Sequence, residues 1–367
     1  MHEALLTYDP LYFGIVIAFS LMIVIIAIPS IIHVANRCAL FDDHSIVGKN
    51  HKSGISRLGG VAVFFSFIIT SLLFSKTANF ETFNYLLVSC VILFAVGLKD
   101  DLSGVHPSTK FAMQFIVALI MVFLGDVRLT SMYSVLNIYD LPYFWSVTIS
   151  ILIIMFVTNA FNLIDGIDGL VGTTSLVVSL ILGILFVQMG QPIYACIAFS
   201  LVGACGGFLF FNLTPAKIFM GDTGSLLIGF LSAILCLRFI ELNKVDGINN
   251  VYFNAAPSIT VAILIVPIYD AIRVFLIRIY NGNSPFKGDN NHIHHRMLAL
   301  GLTHLQTTFI LIVYNVSIFS VTLSLRHLGN FYLIGMLFAI CILFNFVLMF
   351  LIRSKQRKVY RFVHFFL

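Results

Sequence analysis

Residues 145–188 read WSVTISILIIMFVTNAFNLIDGIDGLVGTTSLVVSLILGILFVQ. Two apolar runs, each close to the roughly 20 residues that a membrane crossing needs, flank a short polar segment. That segment, Asn159-Ala-Phe-Asn-Leu-Ile-Asp-Gly-Ile-Asp-Gly-Leu170, holds the carboxylates Asp165 and Asp168 and the carboxamides Asn159 and Asn162. The pattern predicts two antiparallel helices, 145–163 and 169–188, that meet at a polar mouth.

The rest of the chain repeats this theme. Of 367 residues, 59% are hydrophobic and only 10% charged, and the mean hydropathy is +1.01. A soluble domain carries about a quarter charged residues. The composition therefore excludes a soluble enzyme, a disordered chain and a free nucleic-acid binder. It calls for an all-α polytopic membrane protein of about 11 transmembrane helices around a cytoplasm-facing cleft. Candidate spans are 11–35, 58–75, 83–99, 109–124, 145–163, 169–188, 192–212, 222–240, 256–280, 305–325 and 330–352. No repeat, low-complexity segment or linker divides them, so residues 1–367 are expected to form one unit in the bilayer. The six cysteines show neither a CxxC pair nor a regular spacing and read as small buried hydrophobes. The first residues lack the basic region of a removable signal peptide, so the first run reads as a retained helix.

Charge sets the orientation. One set of loops and the C-terminal tail, Arg353 to Arg361, hold sixteen of the 21 Lys and Arg residues. That set is expected to be cytoplasmic, which places the N-terminus outside and the C-terminus inside. The tail also suits anionic head groups of the bilayer. All three glutamates fall on the outer side, whereas the cytoplasmic acids are all aspartates.

Five of those aspartates, Asp100, Asp101, Asp165, Asp168 and Asp222, lie at or beside predicted helix ends. At the bilayer centre each would cost about 3 kcal/mol, so they must line a hydrated cavity. Asp100 and Asp101 repel each other unless a cation or shared proton relieves them. If helical, Asn162, Asp165 and Asp168 share a face at a spacing of three. Asp222, in Met220-Gly-Asp-Thr-Gly-Ser225, opens an apolar helix and reads as an N-cap or as part of an anion site. The most basic loop contains Ser284-Pro-Phe-Lys-Gly-Asp-Asn-Asn-His-Ile-His-His295. Clustered imidazoles beside Arg278, Lys287 and Arg296 fit a phosphate-bearing ligand better than zinc. Hard carboxylate oxygens suit Mg²⁺, which binds one or two carboxylates together with substrate phosphates. Magnesium-dependent chemistry on a phosphate or diphosphate at the membrane surface follows, with a lipid as one substrate.

In order and spacing these motifs resemble the polyprenyl-phosphate N-acetylhexosamine-1-phosphate transferases, most closely the WecA-like branch and more distantly MraY. The matching segments are Gly97-Leu-Lys-Asp-Asp101, Lys110, Asn159 to Leu170, Phe219-Met-Gly-Asp-Thr-Gly-Ser225, Pro267-Ile-Tyr-Asp270 and Ser284 to His295. The resemblance implies attack of undecaprenyl phosphate on the β-phosphate of a UDP-N-acetylhexosamine, with release of UMP. It also implies a bacterial cytoplasmic membrane, an active site on the inner face, and a homodimer. Residue by residue, it makes Asp222 the principal Mg²⁺ ligand, with Asn162 a second and Mn²⁺ a workable substitute. Asp100 would deprotonate or orient the lipid phosphate, and Asp101 would support the metal site. Asp165 and Asp168 would hold the nucleotide, and Phe219 would stack on uracil. Lys110, Arg278 and His292 would meet the diphosphate, while His294 and His295 would shape the sugar-side loop. His51 matches in the first inner loop. The pattern His292-Ile-His-His295, in place of three consecutive histidines, favours a simple N-acetylhexosamine, with GlcNAc first.

Two other readings share some of these features. An intramembrane prenyltransferase also uses Asp-rich motifs and Mg²⁺, but Asp100-Asp-Leu-Ser-Gly104 lacks the later acid of a DDxxD box. A lipid-phosphate transporter would place charges near the midplane, whereas these cluster at one mouth.

Overall fold

The computed structural model describes residues 10–40, 54–75, 81–135, 138–244, 253–284 and 291–366. The apolar runs are helical throughout, as they must be in lipid, where every backbone N–H and C=O has to find its partner internally. In chain order the helices are α1 (Pro10–Cys38), α2 (Gly59–Phe74), α3 (Glu81–Ser103), α4 (Pro107–Leu119) and α5 (Tyr143–Ile164). They continue with α6 (Leu170–Gln188), α7 (Pro192–Asn212), α8 (Gly221–Lys244), α9 (Ala256–Ile263) and α10 (Ile265–Tyr280). The last three are the short α11 (Ile293–Ala299), α12 (His304–Ser324) and α13 (Asn330–Phe366). Among the described residues, nine helices are long and apolar enough to cross a membrane, counting α4 with the π-turn that prolongs it to Leu124. The bent pair α9–α10 makes a tenth, and α2, with 16 residues, is a shorter apolar helix.

Helix α8 is the axis of the bundle, buried along nearly its whole length between α2, α3, α5 and α6. Its neighbours come unusually close because glycines line the contacts. A Cβ on Gly97 of α3 would lie 2.6 Å from Thr223 Cα, and one on Gly60 of α2 would lie 2.1 Å from Gly224 N. The approach to α2 is closed by backbone pairing, with Gly59 N–H donating to Phe219 O at 2.9 Å and Gly60 N–H to Met220 O at 2.8 Å. Phe219 N–H in turn donates to Ser56 O at 2.8 Å. Small residues at helix contacts, rather than a hydrophobic drive, are what pack helices in lipid.

Four features differ from the sequence expectation. Helix α3 does not end before the paired acids but runs through Asp100 and Asp101 to Ser103. Helix α5 stops at Ile164, and Asp165 leaves helical geometry with ψ 49°. Asn162, Asp165 and Asp168 therefore do not share one helix face; Gly166 and Gly169, the latter at φ +79°, turn the chain between them. The predicted span 256–280 is broken at Leu264 by 76°. Pro267 explains the break: it has no N–H for Ile263 O, and its ring would strike that carbonyl in a continuous helix. The freed carbonyls of Ala262 and Ile263 instead accept from Asn315 Nδ2 of α12, at 3.2 and 3.1 Å. Beside the break lies an apolar cavity of about 560 Å³, lined by Leu152, Phe156, Leu237, Val261, Leu264 and Ile268 among others.

The fourth difference is a small antiparallel ribbon in an otherwise helical chain, β1 (Ser131–Val135) paired with β2 (Ile138–Asp140). It is tied to the C-terminal end of α8. Tyr133 OH donates to Ile240 O at 2.5 Å, and Glu241 accepts from the Thr130 N–H and hydroxyl at 3.1 and 2.5 Å. Lys244 pairs with Asp140 at 2.9 Å. This end of α8 lies opposite its N-terminus, where Asp222 meets the end of α3.

Candidate active site

Four helix ends converge at the N-terminus of α8: the last turns of α3 and α5, the first turn of α4, and the first turn of α8 itself. A helix N-terminus leaves four backbone N–H groups without intrahelical partners. Here the cap comes from another helix. Asp101 Oδ1 accepts from Asp222 N–H at 2.8 Å, and Oδ2 accepts from Thr223 N–H and its hydroxyl at 2.9 and 2.5 Å. Asp222 is thus not its own helix's cap but sits in the first turn with its carboxylate turned to the mouth. Gly221, at φ +71°, allows this geometry, since a Cβ there would lie 2.2 Å from Arg57 O and 2.6 Å from an Asp101 oxygen.

Lys110, from the first turn of α4, bridges the acids. Its Nζ lies 2.6 Å from Asp100 Oδ2 and 2.6 Å from Asp222 Oδ2. The other oxygen of Asp100 accepts from Val105 N–H at 2.7 Å. Both Asp100 oxygens are therefore engaged, and two of the three ammonium donors of Lys110 are spent. Oxygens of Asp100, Asp101 and Asp222 all lie within 4.8 Å of one another. Three carboxylates facing one ammonium leave a surplus of negative charge at a mouth built of hard oxygen donors. That donor set fits Mg²⁺ or Mn²⁺. Asn162, on the last turn of α5, is held to α8 by a bond from Nδ2 to Ser225 Oγ at 3.0 Å, which leaves its Oδ1 as a further oxygen donor.

Asp165 belongs electrostatically to the same group. Burial first, and then the charges of Asp222 and Asp101, push its carboxyl up to about 8, opposed by Arg57 and the Gly221 amide. Asp168 stands apart. Its Oδ1 lies 3.3 Å from His304 Nδ1, and its backbone oxygen accepts from Thr308 Oγ1 at 3.2 Å, so it fastens the α5–α6 turn to α12. Asn212 joins the same turn to the loop before α8, accepting from Gly169 N–H and donating to Ile218 O, both at 2.8 Å. Phe219, on that loop, is half-buried.

The segment His292–His295 packs on the α5–α6 turn. His292 Nδ1 lies 2.8 Å from Asp270 Oδ2, while Asp270 Oδ1 accepts from Ile293 N–H at 2.9 Å and from Arg273 Nη2 at 3.0 Å. Arg273 also donates to Asn291 O. The His294 ring lies parallel to His292 at 5.5 Å and stands 4.3 Å from the His295 ring. His294 is 1% exposed, and its Nε2 has no hydrogen-bond partner among the described residues. It rests on Gly166, where a Cβ would stand 2.4 Å away. Burial pushes the His294 imidazole down to about 3; Asp270 opposes the shift, and His295, His292 and Arg273 add to it. Arg278, in the last turn of α10, is buried. His51 lies outside the described residues.

The sequence reading placed Asp270 in a motif without giving it a task, and it passed over Arg273, Thr223 and Asn212. A signal for the first two was present, since an Asp and an Arg three apart in an apolar helix are costly in lipid unless they pair.

An acid-lined, lysine-bridged mouth in a helical bundle of this size has the build of an integral-membrane transferase. Comparison with known proteins gives the same class. Residues 83–240 match the model of glycosyl transferase family 4. The chain is 31% identical over 312 residues, 84% of each chain, to a probable undecaprenyl-phosphate N-acetylglucosaminyl 1-phosphate transferase of Bacillus subtilis. It is 32% identical over 287 residues to a decaprenyl-phosphate N-acetylglucosaminephosphotransferase of Mycobacterium tuberculosis, covering 71% of this chain and 70% of that one. Against an undecaprenyl-phosphate alpha-N-acetylglucosaminyl 1-phosphate transferase of Yersinia pestis it is 31% identical over 275 residues, covering 72% and 71%. The chain belongs to glycosyl transferase family 4.

Proposed function

We propose that the protein transfers an N-acetylhexosamine 1-phosphate, GlcNAc-1-phosphate in the first instance, from its UDP-sugar to undecaprenyl phosphate. The observation that carries this reading is the Lys110 bridge between Asp100 and Asp222, beside Asp101 and within a surplus of carboxylate oxygen. The names of the relatives support the substrates. An oxygen of the lipid phosphate attacks the β-phosphorus of the UDP-sugar. The bond from that phosphorus to the bridging oxygen breaks, and UMP leaves. One diphosphate linkage forms as another is cleaved, so the protein's work is positioning and charge neutralisation.

Asp222 and the Asn162 carboxamide would hold Mg²⁺, with Asp100 and Asp101 close by. When bound, the ion neutralises phosphate charge. A phosphate monoester with its second pKa near 6 is already mostly ionised in the cytoplasm. Asp100, with both oxygens engaged, orients Lys110 toward that phosphate and need not take a proton. Asp165 and Asp168 hold the nucleotide side of the cleft, and Phe219 stacks on uracil. Lys110, Arg278 and His292 meet the diphosphate, while His294 and His295 shape the loop beside the sugar. The apolar cavity along α9–α10 takes the polyprenyl tail. The whole chain works as one unit in a bacterial inner membrane, N-terminus outside, cleft on the cytoplasmic face, and as a homodimer.

The test uses purified protein in detergent with undecaprenyl phosphate, Mg²⁺ and labelled UDP-GlcNAc. Stoichiometric UMP and lipid-linked label, both lost in Asp222→Asn, are expected. Activity with a different UDP-amino sugar alone would change the sugar; silence with all of them, in folded protein, would sink the transferase reading.

A further inference from the structure

Asp270 lies 2% exposed in an apolar helix, a costly place for a carboxylate, and no part of the reaction calls on it to touch substrate. Its contacts divide by oxygen. Oδ1 receives two donors, the Ile293 N–H and Arg273 Nη2, whereas Oδ2 faces only His292 Nδ1. An ionised carboxylate accepts and cannot donate, so Nδ1 must carry the proton of the His292 ring. The ring is itself 5% exposed and lies parallel to His294, which rests on Gly166 beside Asp165. With Nδ1 occupied and one face turned to His294, Nε2 is the edge left for a ligand.

We propose that Asp270 is the positioning residue of His292, a role that rests on the transferase reading in which His292 meets the diphosphate. Through Oδ2 it fixes the tautomer and the plane of the ring; through Oδ1 it pins the start of α11, so the helix start and the imidazole are set by one carboxylate. Asparagine at this position cannot reproduce both functions. Two donors hold its oxygen, so its amide nitrogen turns to His292 and donates. The ring proton then moves to Nε2, and the anion that steadies a protonated ring is gone.

The experiment measures UMP release at saturating UDP-GlcNAc and undecaprenyl phosphate for wild type, Asp270→Asn, His292→Gln and the double variant. Each single change is expected to lower kcat roughly 10- to 100-fold, as in other carboxylate–histidine pairs, with the KM for UDP-GlcNAc moving less than about twofold. The double variant is expected to be no slower than the slower single one, because both act through one ring. Asp270→Asn leaves Arg273 as a buried uncompensated charge. If that variant does not yield monodisperse protein, Asp270→Asn combined with Arg273→Gln removes the pair together, and the same loss of kcat is expected. Multiplying losses, or a wild-type kcat in either Asp270 variant, would overturn the positioning role while leaving the transferase reading intact. A wild type that releases UMP from no UDP-amino sugar would overturn the transferase reading and the proposal with it.

Discussion

The carboxylate of Asp101 caps the helix that carries Asp222. Three donors from the first turn of α8 converge on its two oxygens at 2.5 to 2.9 Å. The acid that reads in the sequence as half of a repelling pair is thereby made part of the scaffold while it stays within the carboxylate cluster. An isosteric Asp101→Asn variant can direct only one accepting oxygen to these donors. Its thermal unfolding midpoint should fall by the equivalent of about 1–2 kcal/mol. UMP release should fall with it, because Asp222 loses its fixed register. Unchanged unfolding would show that the cap carries no stability.

Gly97 is expected to tolerate no side chain. A methyl group there would meet Thr223 backbone atoms at 2.6 and 2.7 Å, and backbone cannot move aside as a flexible side chain can. Gly97→Ala should destabilise by about 1–3 kcal/mol, the usual cost of overpacking. It should also abolish turnover by parting α3 from α8. Gly14→Ala, which meets nothing within 4 Å, is the control and should unfold like wild type. The two unfolding curves, recorded side by side in one detergent, decide the matter.

Removing the ammonium of Lys110 separates charge balance from turnover. In Lys110→Gln the oxygens of Asp100 and Asp222 lose their bridge, now 2.6 Å to each. Without a counter-charge they should draw a divalent cation more strongly, so Mn²⁺ binding, read by electron paramagnetic resonance, should tighten. Turnover should nonetheless fall on the order of 100-fold if, as proposed above, the lysine also supplies a charged donor to phosphate. Weaker Mn²⁺ binding would instead mean that the lysine builds the acid cluster.

Acid should loosen the packing of His294 on the α5–α6 turn. Burial holds the His294 imidazole at about 3 in the fold, against an ordinary value of 6.5. Between those values the unfolded chain binds one more proton than the folded one. Stability is therefore full above pH 6.5 and declines as pH falls, by at most about 1.4 kcal/mol per unit. A His294→Phe variant has no such proton to bind. The dependence of its unfolding midpoint on pH between 7.5 and 5 should be shallower than that of wild type. Parallel dependences would place the acid sensitivity elsewhere.

Much of this architecture is legible in the sequence because lipid leaves few options. Apolar runs of about 20 residues become helices, and short connections such as Gln188 to Pro192 force neighbours antiparallel. The acids at the mouth were equally visible, since isolated charges stand out at the ends of such runs. What escaped the reading depends on three-dimensional partners. The cap on α8 comes from Asp101, 121 residues earlier in the chain. The task of Asp270 shows only once His292 and Ile293 are folded onto it. The turn at Gly166 and Gly169 breaks the face that a spacing of three suggested for Asn162, Asp165 and Asp168. The ribbon at 131–140 is short and irregular, and its hold on α8 comes from residues a hundred positions away.

The break at Leu264 has a consequence for traffic within the membrane. Because Asn315 satisfies the carbonyls that a straight helix would have paired, the bend is a permanent elbow rather than a strained pause. It holds the two halves of the span at 76° to each other, beside the apolar cavity that Val261, Leu264 and Ile268 help to line. If the cavity takes the polyprenyl tail, as proposed above, the tail would meet an elbow that is already set and would not have to unwind a helix.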